Sequence, residues 1–168
     1  MLITGTTLLS FILPIVCIGL ILAASLHDIV ARTIPNGLAL LLAAAGIATG
    51  AVGGHLSISL LVAGAVFVIA ALCWRRGWMG GGDVKLLGAA ALCMPPNSVL
   101  TFVAAVAVAG GLLALLYLAA RHLARGPVQP RPNNLLTRVM RVERCRIRRG
   151  GSLPYACAIA AGFLFVIV

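Results

Sequence analysis

The chain has 168 residues, of which 62% are hydrophobic and only 10% charged, so it lacks the polar surface to clothe a soluble globule and belongs in a lipid bilayer. Its net charge of +10 would suit nucleic acid on a soluble module. Here, however, the basic residues lie between apolar stretches, which excludes nucleic acid and makes the lipid bilayer with its anionic headgroups their partner.

In chain order, apolar stretches run from Leu8 to Leu26, Gly37 to Val52, Ile58 to Trp74, Val84 to Met94, Val99 to Leu118 and Leu153 to Val168. A helix crosses the hydrocarbon core with about 20 residues, so the fourth stretch is short. It either begins part-way into the membrane or continues through Pro95 and Pro96 with a kink. Ala23, Ala24 and Ser25 imitate a signal-peptide cleavage site, but no Lys or Arg precedes that run and further spans follow it, so the first helix is expected to stay uncleaved. The fold class is therefore all-α, a polytopic transmembrane helical bundle of about six spans forming one membrane-embedded domain over residues 1–168. Small residues along Gly37 to Gly54 and in the fifth stretch read as helix-packing faces, where close backbone approach replaces the hydrophobic effect as adhesive. Residues 121–151 read as a basic loop, with helical potential over Thr137 to Arg149.

Lys and Arg collect on the cytoplasmic side of membrane proteins. Arg32 follows the first stretch, Arg75, Arg76 and Lys85 surround the third junction, and the other basic residues, Arg121 to Arg149, follow the fifth. With six spans all 13 Lys and Arg residues fall on one side, and the opposite loops, Gly53 to Ser57 and Pro95 to Ser98, carry none. Five spans would split them, so the charges favour counting the short fourth stretch and placing both termini outside. The five cysteines form neither a CxxC pair nor a cluster with His, and they read as apolar fillers with no metal or other cofactor.

Chemistry is carried by the acids. The chain has three, and two of them, Asp28 and Asp83, stand where a stretch meets the cytoplasmic face. Carboxylates at a membrane boundary are costly and mark pairs or functional paths. Singly, Asp28 suits an ion pair with Arg32 and Asp83 a helix N-cap. Together they fit an aspartic dyad, in which one carboxylate takes a proton from water while the other, protonated, donates to the carbonyl oxygen of a peptide bond. Two close carboxyls share one proton because both cannot ionise cheaply. His27, His55 and His122 do not cluster in this topology. Gly80, Gly81 and Gly82 before Asp83 allow close backbone approach, and the run is no phosphate loop because no GK[ST] follows.

The stretch from Gly80 through Gly81, Gly82, Asp83, Val84, Lys85 and Leu86 resembles the GxGD motif of membrane aspartyl proteases. Asp28 with Arg32, Ile34, Pro35 and Asn36 is similar to the first motif of the type IV prepilin peptidase family, and Leu153, Pro154, Tyr155, Ala156, Ala158 and Ile159 resemble the closing segment of its short TadV/CpaA-like members. The resemblance implies Asp28 and Asp83 as catalytic residues and Gly80 and Gly82 as motif glycines. It matches Lys85 to a position whose role snorkelling to headgroups explains equally well. Pro35 and Asn36 would shape entry into the second helix, and Pro154 and Tyr155 would line the site. The implied substrates are prepilins and pseudopilins of Flp-type pilus systems, with basic leaders in the cytoplasm and an apolar helix in the membrane. Longer members carry an N-terminal methyltransferase region with paired CxxC motifs, which this chain lacks, so it is expected to cleave without methylating. The rival class is a non-enzymatic membrane subunit, such as a channel, transporter or secretion scaffold. Its ion sites would sit near the midplane, not at an edge.

Overall fold

A computed structural model describes residues 2–123 and 153–167. The described residues form six α-helices: α1 (Leu2–Ala31), α2 (Asn36–Val52), α3 (Leu56–Arg75), α4 (Gly81–Leu92), α5 (Val99–Leu123) and α6 (Tyr155–Ile167). A single 3-10 turn, Pro96–Ser98, leads into α5. Three helices are long and apolar enough to cross a membrane, over Thr7–Ala31, Leu56–Arg75 and Pro96–Arg121, while α2 and α6 are shorter apolar helices. The expected basic loop lies outside the described residues from position 124 to 152, as does the helix expected over Thr137 to Arg149.

The distribution of side-chain size is that of a protein dissolved in lipid. Phe11, Ile15, Leu61, Leu100 and Phe165 are each more than two-thirds exposed. The buried residues of α4 include a run of small ones, Gly88, Ala89, Ala90 and Ala91, following Val84, Leu86 and Leu87. Where lipid solvates large apolar residues as well as protein does, helices associate through small residues that bring backbones together. Gly46 of α2 faces Leu92, and a Cβ there would stand 2.7 Å from the Leu92 Cβ. Gly162 of α6 abuts Val106 of α5, where a Cβ would meet the backbone nitrogen at 2.8 Å. Phe102 and Phe163 close the same α5/α6 seam edge to face, with centroids 6.2 Å apart.

The fourth helix stands at the centre, touching α1, α2, α3 and α6. Its 12 residues rise only about 18 Å, well short of a hydrocarbon core of about 30 Å. It does not continue through the prolines: the helix stops at Leu92, Cys93 and Met94 donate to the carbonyls of Ala90 and Ala91, and Pro95 and Pro96 open a separate turn. Such a short helix is tolerable at membrane depth where protein surrounds it, and Val84 and the run from Leu86 to Ala91 are buried among its neighbours.

Two helix ends are turned by glycine. Gly77 has φ of 75°, its N–H donates to Trp74 O at 2.8 Å, and Trp78 N–H donates to Cys73 O at 3.0 Å. This is the paired bonding of a Schellman cap, which needs a left-handed residue. Gly54, with φ of 70°, ends α2 in the same manner, and the chain returns into α3. The ends of α1, α3 and α5 and the beginnings of α2, α4 and α6 consequently gather at one end of the bundle.

Candidate active site

Asp28 lies in the last turn of α1 and is buried. The helix ends because Arg32 takes φ of 56° and its N–H donates to Asp28 O at 2.9 Å, a left-handed cap that glycine usually supplies. An arginine there costs about 1 kcal/mol in backbone strain, so the position is held by its side chain: the guanidinium Nη2 donates to the Tyr117 hydroxyl of α5 at 3.4 Å. The His27 ring Nδ1 lies 2.7 Å from Thr33 O and braces the same turn. Pro35 then starts α2, since its φ of −59° is preset by the ring and its carbonyl accepts from Leu38 and Ala39.

Asp83 occupies the first turn of α4, ahead of the apolar stretch 84–94. Its carboxylate folds back and accepts from the Gly80 N–H, as in a capping box, where an acidic side chain satisfies an orphan donor at the helix start. The three glycines before it meet three different neighbours. A Cβ on Gly80 would lie 2.7 Å from Asp83 Oδ2, one on Gly81 would lie 3.2 Å from the Trp74 indole nitrogen, and one on Gly82 would lie 3.3 Å from Ile34 Cβ.

The two motif segments are therefore in contact. Ile34 packs on Gly82, and Lys85 Nζ donates to Asn36 Oδ1 at 2.9 Å. This bond engages the lysine head within the protein, and it gives Asn36 a partner on α4 in addition to its place at the start of α2. Asp28 and Asp83 line one cavity of about 890 Å³, together with Arg32, Asn36, Gly80, Lys85 and Tyr155. Burial first, and then the charge of Asp28, push the Asp83 carboxyl from the ordinary 3.8 up to about 6, against the opposing pull of the Gly80 N–H. A carboxyl raised by a neighbouring carboxylate can hold a proton that the neighbour lacks, and the combination of one acid and one base is what hydrolysis of a peptide bond requires.

A family model described as the type IV leader peptidase family matches residues 15–115, more than half of the chain, and the match contains both aspartates. The chain belongs to the type IV leader peptidase family. Searches among curated proteins and among solved structures returned no match. The match to the leader peptidase family stops short of α6, yet Leu153 and Tyr155 line the cavity, so the C-terminal helix supplies part of its wall. Pro154 is buried but stands outside that wall. Its carbonyl accepts from Cys157 N–H at 3.1 Å, which starts α6 and presents the Tyr155 ring to Gly110 of α5.

Sequence reasoning missed Tyr117, Trp74, Cys73 and Met79 at this site. Tyr117 and Trp74 carried a readable signal, since each is an aromatic within a few residues of Arg at the end of an apolar stretch, the pattern of a membrane-interface belt. Cys73 and Met79 carried none, because nothing in their spacing separates a cavity wall from core filler.

Proposed function

We propose that this member of the type IV leader peptidase family is a prepilin peptidase of the short TadV/CpaA-like branch, an aspartic endopeptidase with Asp28 and Asp83 as its dyad. It cuts the basic leader from Flp-type prepilins and pseudopilins at the cytoplasmic face of the inner membrane. The observation that carries the reading is the shared cavity, which brings together two carboxyls more than fifty positions apart in the chain; burial first, and then the charge of Asp28, raises the Asp83 carboxyl there. In the proposed reaction the ionised carboxylate takes a proton from water as the water attacks the scissile carbonyl carbon. The protonated partner donates to the carbonyl oxygen; the proton taken from water then passes to the leaving amine as the C–N bond breaks, and the partner recovers its own proton from the diol hydroxyl as the carbonyl reforms.

Raised by burial and by Asp28, Asp83 is suited to hold the shared proton. Gly80, Gly82, Lys85, Arg32, Pro35 and Asn36 place the two segments. No metal or other cofactor takes part, and the six helices act as one domain, with α4 recessed among full or nearly full spans. The cationic residues support the cytoplasmic placement, since the end of the bundle that holds the dyad also holds Arg32, Arg75, Arg76, Lys85 and Arg121.

Co-expression with a tagged Flp-type prepilin tests this, with leader removal followed by gel shift and mass spectrometry. Cleavage by the wild type and none by Asp28→Asn or Asp83→Asn, each inserted normally, is the expected result. Cleavage persisting in both variants would remove the dyad.

A further inference from the structure

A second cavity, of about 500 Å³, opens between α2, α3 and α4. Ala39, Ala43, Ala63 and Gly64 give its walls small apolar stretches between the larger Leu40, Leu60 and Phe67. From Lys85 to Leu92 it runs seven residues along α4, about 10 Å at 1.5 Å per residue. Its near end is formed by Asn36 and Lys85, which also line the cavity of the two aspartates, so groove and site adjoin across this hydrogen-bonded pair.

The geometry points to this groove as the seat of the substrate's own apolar helix, the segment that follows the scissile bond; the assignment rests on the prepilin-peptidase reading above. A peptide bond held between the aspartates, with a polar leader on one side, must continue on the other side as an apolar segment entering the membrane. The groove offers that segment an apolar path starting at Asn36 and Lys85 and descending two helical turns. The small stretches of its walls suit a helix, because association in lipid depends on close backbone approach. The recession of the 12-residue α4 between longer neighbours is what leaves the furrow open. Gly64 marks its exposed wall: no heavy atom stands within 4 Å of the place its Cβ would take, so a larger side chain there fills the groove without displacing the fold.

The test uses the full chain in proteoliposomes with a full-length Flp-type prepilin, comparing the wild type, Gly64→Leu and Gly111→Leu. Gly111 on α5 is equally open and lies away from the groove, so it controls for adding leucine to a lipid-facing helix. Filling the groove should raise KM at least about tenfold with kcat within about twofold, and the Gly111→Leu chain should behave as wild type. In parallel, a photoreactive residue at Leu60 in an Asp83→Asn chain should crosslink to the prepilin helix. Wild-type cleavage with an unchanged KM in Gly64→Leu would overturn the groove while leaving the peptidase reading intact, as would an equal rise in both leucine variants. A crosslink to phospholipid alone would also overturn it and make the groove a lipid site. Absence of wild-type cleavage would overturn the peptidase reading itself and the groove assignment with it.

Discussion

Replacing Asp83 by Asn should make the protein more stable at neutral pH while abolishing cleavage. Between its ordinary 3.8 and about 6 the folded chain binds a proton that the unfolded chain has released, so wild-type stability falls as pH rises through that window. A displacement of this size corresponds to a ceiling of about 3 kcal/mol; Asp83 is only partly buried, and solvent screening reduces the figure to about 1–2 kcal/mol. Asparagine never ionises, and its side-chain oxygen can still accept from the Gly80 N–H, so the cap survives. The expected gain is nil below about pH 4 and complete above about pH 7, where it amounts to about 2–8 °C in apparent Tm for a chain of this size. Thermal unfolding in detergent at pH 4.5 and pH 8 reads it directly. Because the Asp28 charge is the second cause of the raised value, the gain should shrink when Asp28→Asn is already present, a coupling that a double-mutant cycle isolates. Equal midpoint shifts at the two pH values, or a variant less stable than wild type at pH 8, would refute the reasoning.

Gly80→Ala places a methyl 2.7 Å from Asp83 Oδ2; the carboxyl must swing away, cleavage should fall about 10- to 100-fold, and the lost Gly80 cap should lower stability by about 1 kcal/mol. Arg32→Ala and Arg32→Gly both delete the guanidinium, but only glycine accepts φ of 56° without strain, so in thermal melts the alanine variant should be the less stable by about 1 kcal/mol. Gly162→Ala drives a methyl to within 2.6 Å of Val106 Cγ2, and with backbone behind it the α5/α6 seam has to open. A loss of about 1–3 kcal/mol, seen as a lower midpoint and faster proteolysis, is the expected outcome.

Much of the architecture was legible because membrane helices are specified locally. Each of the six apolar stretches became a helix, with ends within a few residues for all but α1 and α5, which run about one turn or more beyond the apolar stretch at one or both ends. Those extensions are polar or mixed, so hydrophobicity could not mark them. The small-residue faces were legible in part: Gly46 and Gly110 do receive neighbours, whereas Gly37 and Gly111 face open space, since composition does not say which side of a helix meets protein. The fourth stretch could be read two ways, and the distinction depended on Pro95 and Pro96 beginning a new turn against α5 instead of extending α4.

The sequence by itself determined that the chain is a bundle of apolar helices and that two of its three acids sit in recognisable motifs, because burial cost in lipid leaves so few places for charge. Only the tertiary structure decided that Asp28 and Asp83 share a cavity, that Ile34 seats on Gly82 and Lys85 reaches Asn36, and that Leu153 and Tyr155 close the wall. Each of those contacts joins residues far apart in the chain, and their closeness depends on the angles at which helices cross, which small-residue packing sets and no local pattern encodes.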